Sequence, residues 1–333
     1  MPKKPSRKST AKKKAVPAPQ AGMEAAMRQF EKLLVSNGLV PKGDLNALMT
    51  SLMSPSALDD LSDAEADARG EAQELAFSAM EAGSAAEARK LAKRALRLDP
   101  DCVDALVVLA DVDARTPREM IEALQKAVAA GERSLGEKFI RENKGHFWLM
   151  LETRPTMRAM EQLALLLRGQ GIRLDAIRIY ERMLELNPND NQGVRDPLLG
   201  LYLETGDLKG AGRLLKKYKE DASANFAWAR VLERFLAGTH GEASTALKQA
   251  RRANRHVEIY LTAQKTLPKH LPEMYSLGSD EEAVLCLSCL SGAWAEHQEA
   301  VFWLLDQLAA DGVQPVPSKT ALKNIPAAGK TVQ

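Results

Sequence analysis

The chain of 333 residues is 45% apolar and 27% charged, with a net charge of +2, the profile of a soluble folded protein of two domains or one extended array. No apolar run approaches the roughly 18 uncharged residues that a membrane-spanning helix requires. Three cysteines are too few for a disulfide scaffold, so a reducing cytoplasm is the expected location.

Residues 1–20 carry Lys3, Lys4, Arg7, Lys8, Lys12, Lys13 and Lys14 and no acid; without them 39 basic residues face 44 acidic ones. This stretch has almost nothing apolar to offset its ordering entropy and is expected to be a disordered basic tail. It lacks the apolar run of a secretory signal. Residues 21–68 suggest short amphipathic helices forming an N-terminal cap. Residues 69–252 read as helical pairs separated by breaker clusters, with an interruption near 131–156. Residues 253–310 form a distinct end with two apolar helices, around Leu285 and Phe302. Residues 311–333, with Pro315, Pro317 and Pro326, are expected to be a second disordered tail. No stretch shows the sustained two-residue alternation of a strand.

Self-comparison organises the middle. Tetratricopeptide repeats are helix–turn–helix units of about 34 residues closing near a proline. With Pro188 in the closing position, Leu163, Ala164, Leu167, Gly171, Ala176, Tyr180 and Met183 occupy the small and apolar offsets. With Pro100 there, Leu75, Ala76, Ala79, Gly83, Ala88, Ala92 and Ala95 do so. A third unit has Leu198, Leu199, Tyr202, Gly206, Ala211, Leu215 and Tyr218. One interval recurs unchanged: Gly83–Ala88, Gly171–Ala176, Gly206–Ala211 and Gly238–Ala243. The glycine suits a helix end that wants positive φ, and the alanine lets two helices approach closely. In "NPNDNQGVRDP" the Asn187–Asp190 stretch is expected to stop one helix and cap the next. The fold class is therefore all-α, a tetratricopeptide-like helical-hairpin solenoid (a right-handed superhelix) with an atypical C-terminal cap.

The run "HFWLMLETRPTMRAMEQLALLLRGQGIRLDAIRIYERMLELNPNDNQGVRD" and the later run around Pro268, Tyr275, Gly278, Glu282, Ala283 and Trp294 resemble the suppressor of tumorigenicity 7 family and its tetratricopeptide-like relatives. The resemblance spans about residues 146–306. It implies a helical-repeat fold and supplies no enzymatic reaction to carry over. The chain departs from the family in having Thr156 where a tyrosine follows the Arg-Pro pair, and in lacking the membrane segment of animal members.

Residues with chemical potential are few. Cys286 and Cys289 form a C-x-x-C, but a zinc site needs four ligands, usually a second such pair. Only Cys102 and the histidines, among them His270 and His297, remain. The apolar helical flanks favour core filling. "GKT" at Gly329–Thr331 lacks the first glycine and the preceding strand of a phosphate loop. Asp280, Glu281 and Glu282 start a helix, where negative charge suits the dipole. No cofactor or metal is expected.

Arg154, Arg158, Asn191, Gln192 and Arg195 lie near the openings of two first helices, which in a stack line the concave groove. They are the candidate partner-binding residues, able to meet an acidic or backbone ligand. The local alternative has Asn191 and Gln192 capping a helix and the arginines paired with Glu152, Glu161 or Asp196. The groove offsets hold Arg158, Glu161, Leu165 and Arg168 in one repeat and Gly193, Asp196, Gly200 and Leu203 in the next. That set does not form a clamp for C-terminal carboxylates. The expected function is a non-enzymatic protein-interaction or scaffold module that binds a peptide or protein partner. The alternative is nucleic-acid association through the basic tail, which has no aromatic residue for base stacking.

Overall fold

A computed structural model describes Glu24 and residues 68–313. The expected basic tail, nearly all of the N-terminal cap and the C-terminal tail after residue 313 lie outside the described residues. Among the described residues the fold is all-helical, with fourteen α-helices and no strand. No helix among them is long and apolar enough to cross a membrane.

The chain divides into two compact units, residues 1–159 and 160–333. The first contains α1 (Ala68–Met80), α2 (Ala85–Leu98), α3 (Val103–Asp113), α4 (Pro117–Leu135), α5 (Glu137–Glu142) and two 3₁₀ turns, Phe147–Leu149 and Leu151–Thr153. Helix α6 (Arg154–Gly169) begins in the first unit and ends in the second. The second continues with α7 (Arg173–Leu186), α8 (Arg195–Glu204), α9 (Leu208–Lys217), α10 (Ala224–Leu236), α11 (His240–Ala253), α12 (His256–Leu261), α13 (Asp280–Glu296) and α14 (Gln298–Ala310).

In the first unit α1 packs on α2, α3 on α4, and α3 on both α1 and α2. Its core is built from small side chains: Ala72, Ala76, Ala79, Ala88, Ala92, Ala95, Ala105 and Cys102 are buried together. Alanine costs no side-chain entropy on burial, so short helices approach closely with few large residues. Ser84 and Thr116 cap α2 and α4 by accepting from the N–H groups of Glu87 and Glu119, and Pro117 stands in the first turn of α4, where its missing N–H costs nothing. The expected interruption is α5 and the two 3₁₀ turns. Gly131 of α4 leaves no room for a side chain beside the first turn of α6: a Cβ there would lie 2.2 Å from Thr156 Oγ1. Thr156 is buried against Gly131.

The four glycine–alanine intervals fall at one structural place. Each glycine lies in the turn between two helices, and each alanine is buried near the start of the second. Gly171, Gly206 and Gly238 have φ of 72°, 73° and 74°. In each case the following N–H bonds back to a carbonyl five residues earlier: Ile172 to Leu167, Asp207 to Tyr202, Thr239 to Arg234. This αL closure satisfies carbonyls that a helix end would leave orphaned. Gly83 does not share the positive φ.

In the second unit α8 packs on α7, α9 and α10, and α10 on α11. Helix α13 lies across both α8 and α10. Gly200 permits the crossing, because a Cβ on it would meet the Cys289 carbonyl oxygen at 2.2 Å. Trp294 of α13 meets Trp228 of α10 edge to face, with ring centroids 6.3 Å apart. The expected apolar helix around Leu285 is thus a core element, whereas Phe302 on α14 is exposed.

Candidate functional site

In the first unit the expected partner-binding arginines are engaged. Arg154 opens α6, donates from Nε to the Trp148 carbonyl at 3.1 Å and lies over the Trp148 ring. Arg158, one turn on, reaches α3. Its Nε and Nη2 donate to the two oxygens of Asp104 at 3.3 and 2.5 Å. Asp104 also accepts from Gln73 Nε2 of α1 at 2.6 Å. The remaining Nη1 donates to Glu24. Asp104 and Glu24 are 1% and 2% exposed. Burial alone would lower the guanidinium pKa, but Asp104 and Glu24 outweigh it and hold the charge more firmly than in water.

In the second unit the Asn187–Asp190 stretch stops one helix and caps the next as expected: Asn187 closes α7 and Asp190 caps α8. Asn191 and Gln192 do not supply the cap. Asp190, at φ 53°, accepts from the N–H groups of Val194 and Arg195 at 2.8 and 3.1 Å. Asn191 is exposed. Gln192 Nε2 donates to Glu161 Oε2 at 2.6 Å, reaching α6 rather than its own helix. Arg195 is clamped: Nη2 lies 2.8 Å from Asp221 and Nη1 donates to Asp190 at 3.3 Å. Its guanidinium also stacks over Tyr218 and Phe226. Among the described residues Arg158 bonds to Asp104 and Glu24, and Arg195 to Asp190 and Asp221, rather than to the expected Glu161 or Asp196.

The Arg195 neighbourhood gathers three carboxylates. Burial raises Asp190, although backbone N–H groups and Arg195 oppose it. Asp221 is lowered, because hydrogen bonds from Ser223 and the charge of Arg195 outweigh its burial. Asp196 is pushed up to about 7, mainly by burial, with Asp221 and Asp190 adding to the effect and Arg195 opposing it. Its Oδ1 and both polar side-chain atoms of Asn225 have no hydrogen-bond partner among the described residues.

Of the groove offsets of this repeat, Gly193 is exposed, while Gly200 and Leu203 are covered. Gly200 abuts the backbone of α13, and His297 Nε2 lies 3.0 Å from the Leu203 carbonyl oxygen. Arg168 donates to the Ser288 carbonyl. Within the second unit, the faces of α8 and α10 around Gly200 and Trp228 are met by the chain's own helix α13. Cys286 is buried in that interface, and burial raises both thiols, Cys289 to about 11. A thiol so raised is a poor nucleophile and a poor metal ligand at neutral pH. Among the described residues no group of three acidic, histidine or cysteine side chains is placed to hold a metal.

Three features escaped the sequence reading. Asp104 is a lone acid on the buried face of "VDALVVLA", a signal that was available. Glu282 does more than complement a dipole. Its Oε1 accepts from the Ala224 N–H at 2.9 Å, and its Oε2 from Gly278 N–H and Asn254 Nδ2 at 2.6 and 3.0 Å. One buried carboxylate thereby joins α13 to the start of α10 and to both flanking loops. The third is the connection of residues 262–279. Its base is closed by Lys265 Nζ donating to Asp280 at 2.8 Å and Tyr260 Oη donating to the same carboxylate at 2.8 Å. Between these ties Leu267, Leu271, Met274, Tyr275 and Leu277 are 41%, 60%, 83%, 57% and 70% exposed. Neither a protein-family model nor a curated protein matches the chain.

Proposed function

We propose that the chain is a non-enzymatic protein-interaction module of the cytoplasm, built from tetratricopeptide-like hairpins with α12–α14 as its atypical C-terminal cap. The recurrence of the glycine turn and the buried alanine in four helical pairs supports the repeat reading. With it goes kinship to the suppressor of tumorigenicity 7 family, whose motif positions Glu282, Ala283 and Trp294 lie in the α10–α13 junction.

The observation that carries the interaction reading is the loop between α12 and α13. Five large apolar side chains stand in solvent within eleven residues of a segment closed at its base. Contiguous exposed apolar surface marks interaction sites. Pro268 and Pro272 restrict the backbone and so reduce the ordering cost of docking. The fitting partner is a protein with an apolar cleft that accepts an extended chain. The partner surface thus moves from the groove of α8 and α10, which α13 fills, to this loop.

The test is a cross-linking recovery from the native cell with the wild-type chain and with Leu271→Ser/Met274→Ser/Tyr275→Ser. The triple variant is expected to lose the recovered partners while keeping its helicity and melting temperature, because none of the three side chains is buried. Recovery of the same partners at the same yield would overturn the reading.

A further inference from the structure

We propose that the α12–α13 loop pairs with the same loop of a second copy of this chain, antiparallel and centred on Leu271. The inference rests on the reading of this loop as the partner surface and names its occupant. Residues 266–275 make no hydrogen bond among the described residues, through backbone or side chain. Their donors and acceptors are left to water or to a partner. Leu267, Leu271, Met274 and Tyr275 stand exposed along the same stretch. Lys269 and Glu273 are exposed as well and form no ion pair among the described residues. The loop thus offers apolar area, one charge of each sign and a free backbone together.

The order of its residues is self-complementary about Leu271. A two-fold axis there sets Lys269 of one copy against Glu273 of the other, and Glu273 against Lys269. It sets Leu267 against Tyr275 in the same way. This reciprocity is what an isologous interface demands, since residue i meets j and j meets i. The prolines agree with that register. In an antiparallel ladder, alternate residues turn their N–H groups toward the neighbouring strand. With Leu271 at the centre these are Leu267, Lys269, Leu271, Glu273 and Tyr275, and each has an N–H. Pro268 and Pro272, which have none, fall on the outer edge. That edge lacks two donors, so the pairing stops at two copies. The single chain bends at Lys269, His270 and Glu273, and straightening these bends keeps the association weak.

The experiment is sedimentation velocity of the full chain over a rising series of concentrations. The wild-type chain is expected to pass from monomer to dimer, and raised salt to shift the passage to higher concentration. Lys269→Glu and Glu273→Lys are each expected to weaken the dimer about tenfold, because the symmetry counts each substitution twice. An equimolar mixture of the two variants is expected to dimerise, since each supplies the charges the other lacks. The double variant Lys269→Glu/Glu273→Lys is expected to recover the wild-type affinity. Both side chains are exposed, so circular dichroism is expected to match wild type throughout. A wild-type chain monomeric up to about 100 µM, single variants that dimerise as wild type does, or a mixture that stays monomeric would overturn the pairing. A chain that stays monomeric while Leu271→Ser/Met274→Ser/Tyr275→Ser loses its cellular partners would sink the self-pairing alone and leave the loop standing as a partner surface.

Discussion

Asp196 shows how an individual side chain responds to its surroundings. It occupies the first turn of α8, where the helix dipole favours a negative charge, yet burial and its acidic neighbours raise it to about 7. In the unfolded chain it titrates near 3.8. The folded state therefore holds an extra proton between these values, and stability falls as pH rises through that window. Asp196→Asn is expected to leave the midpoint of urea unfolding nearly unchanged at pH 4 and to raise stability by about 1 kcal/mol at pH 8. A variant equally stabilised at both pH values, or destabilised at pH 8, would show that ionised Asp196 is well accommodated. Arg195 makes the complementary point. The sequence marked it as a candidate for an external ligand, and the structure spends its charge on Asp190 and Asp221.

Helices and their turns separate two uses of glycine. Gly83 sits in a turn with open space around it and no positive φ, so alanine fits there. Gly200 lies inside α8, where glycine costs about 1 kcal/mol relative to alanine, and it is retained where α13 presses on the backbone. Gly200→Ala is expected to destabilise the fold by about 2 kcal/mol through displacement of α13, whereas Gly83→Ala is expected to change it by less than about 0.5 kcal/mol. Urea denaturation of the two variants reads both. Loss confined to Gly83 would mean that the α8–α13 crossing is loose. The repeating turn was legible in the sequence because a helix end closes on its own neighbours. The Gly200 contact was not, since its partner lies some 90 residues away in "AVLCLSCLSG".

For the whole molecule, charge is unevenly distributed. The chain is +2 overall, while without residues 1–20 its acids exceed its bases. A lysine-rich segment binds phosphate backbones by releasing counterions, with a steep dependence on salt. Deleting residues 1–20 is expected to abolish retention on duplex DNA at about 50 mM salt while partner recovery through the α12–α13 loop persists. Retention indifferent to salt, or partner loss on deletion, would contradict this separation.

The sequence by itself determined the helical class, the helix pairs, the turn glycines and the alanine contacts, since these depend on side-chain periodicity and on bonds spanning five residues or fewer. It also identified the polar residues at the helix openings. Only the tertiary structure decided what those residues face. It paired Arg158 with Asp104, 54 positions away, joined Glu282 to Ala224, and laid α13 over α8 and α10. The physical reason is that an ion pair or a buried helix face is chosen by which distant surfaces desolvate each other, and a linear pattern of apolar and charged residues does not contain that choice.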